Sequence, residues 1–220
     1  MTDGFFKHPT ALVETDQIGQ KTNVWAYAHV MKGAVVGSRC NIGDHAFVES
    51  GAVIGDEVTI KNGVAVWQYV TVENRVFLGP NCSLTNDMRP RSKRDWTPVA
   101  TVIREGATVG ANATIVCGCH IGRYAFIGAG AVVTTPVPDY GVVYGNPGRL
   151  HGFVCECCQP LTGKGRILTC KTCGLTYART RAGIARAAAG AAPKSRKAAP
   201  RKPVSRMRVA RKPGPRTTRA

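Results

Sequence analysis

Four cysteines late in the chain have the type and spacing of a metal site. Cys155-x-Cys157 and Cys170-x-x-Cys173 form two pairs separated by 12 residues, with Gly163 and Gly165 in a hairpin-like stretch between them. Four thiolates so arranged suit a tetrahedral structural zinc and leave no coordination position open for catalysis. Cys158 offers an alternative ligand, because Cys155-x-x-Cys158 also fits. A segment of about 24 residues has too little core to fold without such a staple. A second candidate is the run from Thr85 through Trp96, in which Arg89, Arg91, Lys93 and Arg94 suit a phosphate-bearing substrate. A solvated loop accounts for the same charges.

What must position these groups is a six-residue beat. Every sixth residue from Leu12 to Leu84 is aliphatic, and the beat resumes from Ile103 to Val133, giving 19 positions without exception. That period fits neither a helix nor strand alternation. It marks a hexapeptide-repeat β-helix, with one short strand and one turn per repeat. Counting the aliphatic residue as position one, position five is small or β-branched nearly throughout (Ala28, Ala34, Cys40, Ala46, Ala52, Val58 and onward). Both positions are expected to face inward, which places Cys40, Cys82 and Cys119 in the core. Position two is glycine in 8 of the 19 repeats, as suits backbone that bends tightly or passes close to a neighbour. Three repeats close a triangular coil of 18 residues, and coils stack as parallel strands about 4.8 Å apart. Four coils fit between residues 12 and 83, and two more between 103 and 138. A lone coil buries almost nothing, so stability is expected from stacking.

Residues 18 apart then lie above one another. This puts Met31, Glu49, Trp67 and Thr85 in one outward column, and Lys32, Ser50, Gln68 and Asn86 in the next. Across the adjacent corner run His29, Phe47, Ala65 and Ser83. One edge of the prism thus gathers His29, Phe47, Glu49, Trp67, Gln68 and Asn86, where the regular wall stops. Outward aromatics on such a face need a partner, and a subunit interface or a ligand explains them equally. The interruption at 85–102 is the longest stretch without the beat, and long excursions from a rigid scaffold are commonly functional. Gly110–Ala111 stacks under Gly128–Ala129 and makes a ledge almost without side chains. An extended amide ligand such as pantetheine suits it; a tight structural corner accounts for the glycines equally well.

The formal net charge of +17 is unevenly placed. Residues 179–220 hold 14 Lys and Arg and no acid, so the rest of the chain is close to neutral. The expected organisation is a β-helix over 1–150 with its excursion at 85–102, a cysteine module over 151–178, and a disordered basic tail over 179–220. The tail can bind polyanions weakly and non-specifically. No basic start followed by a hydrophobic run marks a signal peptide, and no segment approaches a membrane span of about 20 apolar residues. Nine cysteines without such a signal point to metal binding rather than disulfides, and to a cytoplasmic location.

At these residues the sequence resembles the left-handed β-helix N-acetyltransferases that act on nucleotide-linked 3-amino sugars for cell-surface polysaccharide. The likeness covers about residues 8–152. It rests on Val24–Val30 (VWAYAHV), Leu78–Arg91 (LGPNCSLTNDMRPR), Gly106–His120 (GATVGANATIVCGCH), Gly128–Thr134 (GAGAVVT) and Gly145–Arg149 (GNPGR), with Gly148 where alanine is usual. It implies a left-handed all-β coil and a homotrimer with acetyl-CoA between neighbouring β-helices. It also implies a UDP- or dTDP-linked sugar whose amine attacks the thioester. Asn86 matches the family asparagine that holds the reacting groups, and Arg149 matches a position near the CoA phosphates. With that resemblance Gly110, Ala111, Gly128 and Ala129 become cofactor-binding, and His29, Phe47, Glu49, Trp67, Gln68 and Arg91 become substrate-binding. Trp67 stands where a tyrosine is common and Gly63 where a second asparagine is, which bears on sugar or base specificity.

His29 lies three coils, about 14 Å, from the rung of Ser83, too far for direct proton transfer. His120 supplied by a neighbouring subunit remains a candidate base; otherwise the departing CoA sulfur takes the proton. Likeness to zinc ribbons, which carry glycine after the second ligand, favours Cys157 over Cys158, since Cys158 holds that place. A γ-type carbonic anhydrase is disfavoured because His29, His45 and His120 are far apart in sequence. The non-enzymatic rival is a scaffold or nucleic-acid-binding protein driven by the basic tail.

Overall fold

The structure, a computed structural model, describes residues 4–163 and 165–187. Most of the basic tail, from 188 onward, lies outside the described residues. Among the described residues every regular element is a strand, and no helix is long and apolar enough to cross a membrane. Two- to four-residue strands stack into three parallel walls, making the solenoid of about eight turns that characterises a left-handed β-helix of hexapeptide repeats.

The first wall runs from Phe6–Lys7 through Asn23–Val24, Asn41–Ile42, Thr59–Ile60, Phe77–Leu78, Thr108–Val109 and Phe126–Ile127 to Gly141–Tyr144. The second runs from Leu12–Val13 through His29–Val30, Phe47–Val48, Ala65–Val66, Ser83–Leu84 and Thr114–Ile115 to Val132–Val133. The third stacks Val35–Val36, Val53–Ile54, Val70–Val72 and Thr101–Ile103, extended by bridges from Ile18 to Val36, Ile103 to Ile121 and Ile121 to Val137. Register is that of residues 18 apart: His29 faces Phe47, Phe47 faces Ala65 and Ala65 faces Ser83. The lowest rung is one residue short, with Leu12 opposite His29.

Positions one and five form a single core from Val24 to Val143, including Cys40, Cys82 and Cys119. Leu12, at half exposure (50%), breaks the rule because this shift sets it opposite His29 and gives the inward place opposite Val30 to Val13, which packs against the core. Burying each aliphatic side chain contributes about 1.5–3 kcal/mol, so the stack of rungs is the main source of stability.

The corners are made at position four. Sixteen residues in that phase, from Lys21 to Gly130, have φ between +52° and +83°. Ten of them are not glycine: Lys21, Tyr27, Arg39, His45, Glu57, Tyr69, Arg75, Asn81, Asn112 and Tyr124. None is β-branched, the class least able to enter the left-handed region. Position-two glycines answer a different need. A Cβ on Gly37 would lie 2.5 Å from the carbonyl of Gly55, one rung on, and a Cβ on Gly110 2.5 Å from the nitrogen of Ala129. Of the two uses of glycine open from the sequence, close approach is therefore the one at position two.

Several position-three N–H groups are capped by side chains of a neighbouring rung. Ser38 N–H donates to Asp56 Oδ1 (2.7 Å), Asp56 N–H to Asn74 Oδ1 (2.8 Å), Gln68 N–H to Glu49 Oε2 (2.7 Å) and Arg123 N–H to Asp139 Oδ1 (2.8 Å). The Glu49 cap comes from the rung below. Along the same flank Glu105 pairs with both Arg75 and Arg123.

Beyond the last parallel rung, Arg149–Val154 turns back antiparallel on Gly141–Tyr144, and Pro160–Leu161 pairs antiparallel in turn. A second antiparallel sheet joins Ile167–Thr169, Thr176–Thr180 and Gly183–Arg186. These strands correct the expected start of the tail at 179. Tyr177 and Ile184 are buried with Leu168, Cys155 and Cys170, so the module needs the 183–186 strand to close its small core.

Gly37→Ala should lower the thermal midpoint far more than Gly130→Ala. The first forces a Cβ into the next rung, costing several kcal/mol; the second only strains a left-handed corner with nothing within 4 Å, costing about 1 kcal/mol. Equal shifts in parallel thermal melts would contradict the close-approach account.

Candidate active site and cysteine cluster

The edge after the second wall gathers the expected residues. The His29 ring meets Phe47 edge-on at 5.4 Å, and Phe47 meets Trp67 at 5.6 Å. The register of their strands makes this stack, since each ring stands one rung above the last. The ridge is less outward than the sequence suggests. Trp67 is half-buried and packs against the core, and its indole N–H donates to the Leu84 carbonyl at 2.7 Å. Glu49 is engaged as the cap of Gln68 N–H, and His29 Nε2 lies 3.2 Å from Glu14 Oε2.

The excursion leaves the wall after Leu84. Thr85 Oγ1 accepts the N–H of Cys117 at 2.9 Å, and the carbonyl of Asn86 accepts the N–H of Val99 at 2.9 Å, pinning the stem. The Asn86 carboxamide makes no hydrogen bond among the described residues. Arg91 is exposed on the excursion, its guanidinium 3.4 Å from the Pro90 carbonyl. One rung on, His120 Nδ1 accepts the N–H of Val102 at 3.2 Å. In the neutral ring that bond leaves the proton on Nε2.

The ledge lies elsewhere. Gly110 and Gly128 follow strands of the first wall, with Gly79 below them and Tyr144 above, so they occupy the edge between first and second walls. Ala111 is half-buried and Ala129 exposed. Arg149 pairs opposite Tyr144 at the top of this edge. Asn86 instead follows the second wall. A single chain thus brings the aromatic stack to the edge that carries Asn86, and the ledge to the edge that carries Arg149. It does not bring the two sets together.

In the module the sulfur atoms of Cys155, Cys157, Cys170 and Cys173 all lie within 4.8 Å of one another. Cys155 and Cys173 are 3.4 Å apart, Cys157 and Cys170 3.5 Å. Zn–S bonds of about 2.3 Å set such separations near 3.8 Å, so the cluster fits a tetrahedral ion after small shifts. Cys158 is turned out of the cluster at φ +64°, in the left-handed region where similar ribbons place glycine. Burial opposes ionisation of Cys170, but the N–H groups of Cys173 and Thr172 outweigh it and draw the thiol down to about 7, favouring the thiolate a metal needs. Tyr140 joins this module to the last rung. It stacks on Tyr124 at 5.7 Å and meets Tyr177 edge-on at 5.0 Å, while burial and the Glu156 carboxylate push its hydroxyl up to about 12.

Residues 100–135 match the family described as bacterial transferase hexapeptide (six repeats), and residues 33–68 the hexapeptide repeat of succinyl-transferase. The chain is 46% identical over 173 residues to the dTDP-3-amino-3,6-dideoxy-alpha-D-galactopyranose 3-N-acetyltransferase of Aneurinibacillus thermoaerophilus, covering 78% of this chain and 90% of that protein. It belongs to the hexapeptide-repeat acetyltransferases. A further relative is the bifunctional protein GlmU of Lactococcus lactis, 32% identical over 60% of this chain; the match spans 27% of that longer protein. Among solved structures, a hexapeptide-repeat acetyltransferase of Vibrio cholerae complexed with acetyl coenzyme A aligns with a TM-score of 0.48 and 24% identity, over 55% of this chain and 70% of that one.

Sequence reasoning overlooked Cys117 in this acetyltransferase. It is buried at 3% exposure beside the excursion stem, and its position-three N–H needs a cap, a signal that would have paired it with Thr85. It also overlooked the junction tyrosines.

Burial raises the Cys82 thiol from 9.0 to about 12. Because the folded value is raised, its stabilising contribution is full below pH 9 and is lost as pH climbs from about 9 to 12. Thermal melts should therefore fall more steeply over that window for the wild-type acetyltransferase than for Cys82→Ala. Cys82 should also resist iodoacetamide at pH 8, where its thiolate fraction is about 10⁻⁴; rapid labelling of folded protein would contradict the burial.

Proposed function

We propose that this acetyltransferase moves the acetyl group of acetyl-CoA to the amine of a nucleotide-linked 3-amino sugar, with a dTDP-linked 3-amino-3,6-dideoxyhexose as its first candidate substrate. The observation that carries this reading is the 46% identity to the Aneurinibacillus enzyme over 90% of that protein's length. The substitution pattern leaves the nucleotide and the position of the amine as the properties to test. Phosphorylated sugars and CoA do not cross membranes, and the free thiols suit a reducing compartment, so we place the reaction in the cytoplasm.

The chemistry needs a neutral amine, a polarised thioester carbonyl and a route for one proton. The amine lone pair attacks the carbonyl carbon, its electrons pass to oxygen as a tetrahedral oxyanion forms, and collapse expels CoA thiolate. The thiolate takes the proton from the new ammonium centre. The Asn86 carboxamide has no useful basicity; its NH₂ can hydrogen-bond the developing oxyanion, or its oxygen can orient the amine. Its freedom from other hydrogen bonds supports that role. Phe47, Gln68 and the basic excursion with Arg91 bind the sugar nucleotide in this reading, and His29 lines its floor.

Because the ledge and Asn86 occupy different edges of one prism, a neighbouring copy must bring them together. We therefore propose a homotrimer in which the Gly110–Ala111 and Gly128–Ala129 ledge and Arg149 of one chain hold acetyl-CoA against the Asn86 edge of the next. We divide the chain into a β-helix over 1–150, a zinc module over 151–187 held by Cys155, Cys157, Cys170 and Cys173, and a basic tail that adds weak polyanion binding without entering the reaction.

Asn86→Ala should lower the single-turnover rate about 100-fold with little change in KM for acetyl-CoA; an unchanged rate removes Asn86 from the mechanism. Deleting residues 188–220 should leave transfer and trimer intact while abolishing salt-sensitive retention on heparin. Metal analysis should find one zinc per chain. Values far below one, in protein purified without chelators, would refute the module.

A further inference from the structure

Where the chain departs from the second wall, the ladder changes donor. At the rungs below, the backbone N–H of Met31 donates to Val48 (2.9 Å) and that of Glu49 to Val66 (2.8 Å). At the next rung the donor to Leu84 is the indole N–H of Trp67, at 2.7 Å. Register loosens at the same place. Ala65–Val66 pairs through both residues with the rung below, but through Ala65 and Ser83 alone with the rung above.

A side chain standing in for a ladder N–H lets the two rungs part beyond Ala65 and Ser83 without leaving the Leu84 carbonyl unpaired, which would cost as much as a lost buried hydrogen bond, while Leu84 stays in register with Ile115 on the rung above. Beyond Leu84 the stem is held by the ladder bond from Thr85 N–H to the Ile115 carbonyl (3.2 Å), by Cys117 N–H to Thr85 Oγ1 and by Val99 N–H to the carbonyl of Asn86. Together with the indole bond these fix residues 84, 85 and 86 in turn and leave the Asn86 carboxamide directed by the backbone alone. The indole is itself held, packed on the core and against Phe47.

We infer that Trp67 is a positioning residue for the acetyl-transfer site. Its N–H sets where the chain peels away and so where the Asn86 carboxamide stands; that N–H is engaged within the protein and is not offered to the sugar nucleotide. The effect on catalysis rests on the Asn86 reading above, whereas the effect on the stem does not.

Trp67→Phe keeps a ring in the stack and removes the donor. Hydrogen exchange at the Val99 and Cys117 amides should quicken about five- to tenfold, the scale of one lost hydrogen bond. In the same variant kcat should fall by a similar factor, while KM for acetyl-CoA changes less than about twofold. Thr85→Val, which cuts the second bond of the stem, should show the same split, and Trp67→Phe should lower kcat little further in an Asn86→Ala background. Unchanged exchange at both amides would overturn the proposal. So would quickened exchange with unchanged kcat in an enzyme that loses activity on Asn86→Ala. If Asn86→Ala itself leaves kcat unchanged, the catalytic reading fails, and quickened exchange would still establish Trp67 as the anchor of the stem.

Discussion

A backbone that turns at φ between +52° and +83° once in every six residues can stack only on another turn in the same phase. Any slip would set a strand against a corner, leaving N–H and carbonyl groups unpaired and turning aliphatic side chains out of the core. That constraint fixes the walls, the 18-residue register and the two kinds of glycine. It also explains why Asp, Asn, Glu and Thr side chains cap several position-three N–H groups. The corner directs N–H groups away from the ladder, and an oxygen-bearing side chain of a neighbouring rung is the nearest acceptor.

The fold was legible because its signal is repeated nineteen times, and each repeat is decided by one aliphatic side chain. Stacking arithmetic alone placed His29 on Phe47 and Trp67 near Glu49. What the arithmetic could not show is which way a side chain turns once its Cβ is placed. Trp67 and Glu49 read as outward ligands, yet both bend back to satisfy backbone groups of their own wall, because an unpaired carbonyl or N–H at the corner costs more than a solvated side chain gains. Position four escaped notice for a related reason: Tyr, Lys and Arg at a left-handed corner do not announce themselves as glycine does. The module was misjudged by eight residues, because Gly-Ile-Ala-Arg at 183–186 has the composition of the tail and only Ile184, closing over Leu168 and Tyr177, marks it as folded.

The cysteine cluster was legible in the spacing, and geometry distinguishes Cys157 from Cys158. Cys157 faces the other three sulfurs, whereas Cys158 sits at the turn. Its neighbour across the junction, Tyr140, belongs at once to the last parallel rung and to the module's buried cluster. The β-helix and the cysteine knuckles therefore share side chains as well as a peptide link, and the boundary between them is not an open linker.

The antiparallel return of Arg149–Val154 over Gly141–Tyr144 has one more consequence. A parallel solenoid ends in bare strand edges that invite further copies, the usual seed of fibrous growth. Here the last edge of the first wall is occupied by a strand running the opposite way, which offers an incoming parallel rung neither its spacing nor its phase. The turn that carries the chain into its cysteine knuckles thus closes that wall to a further parallel rung.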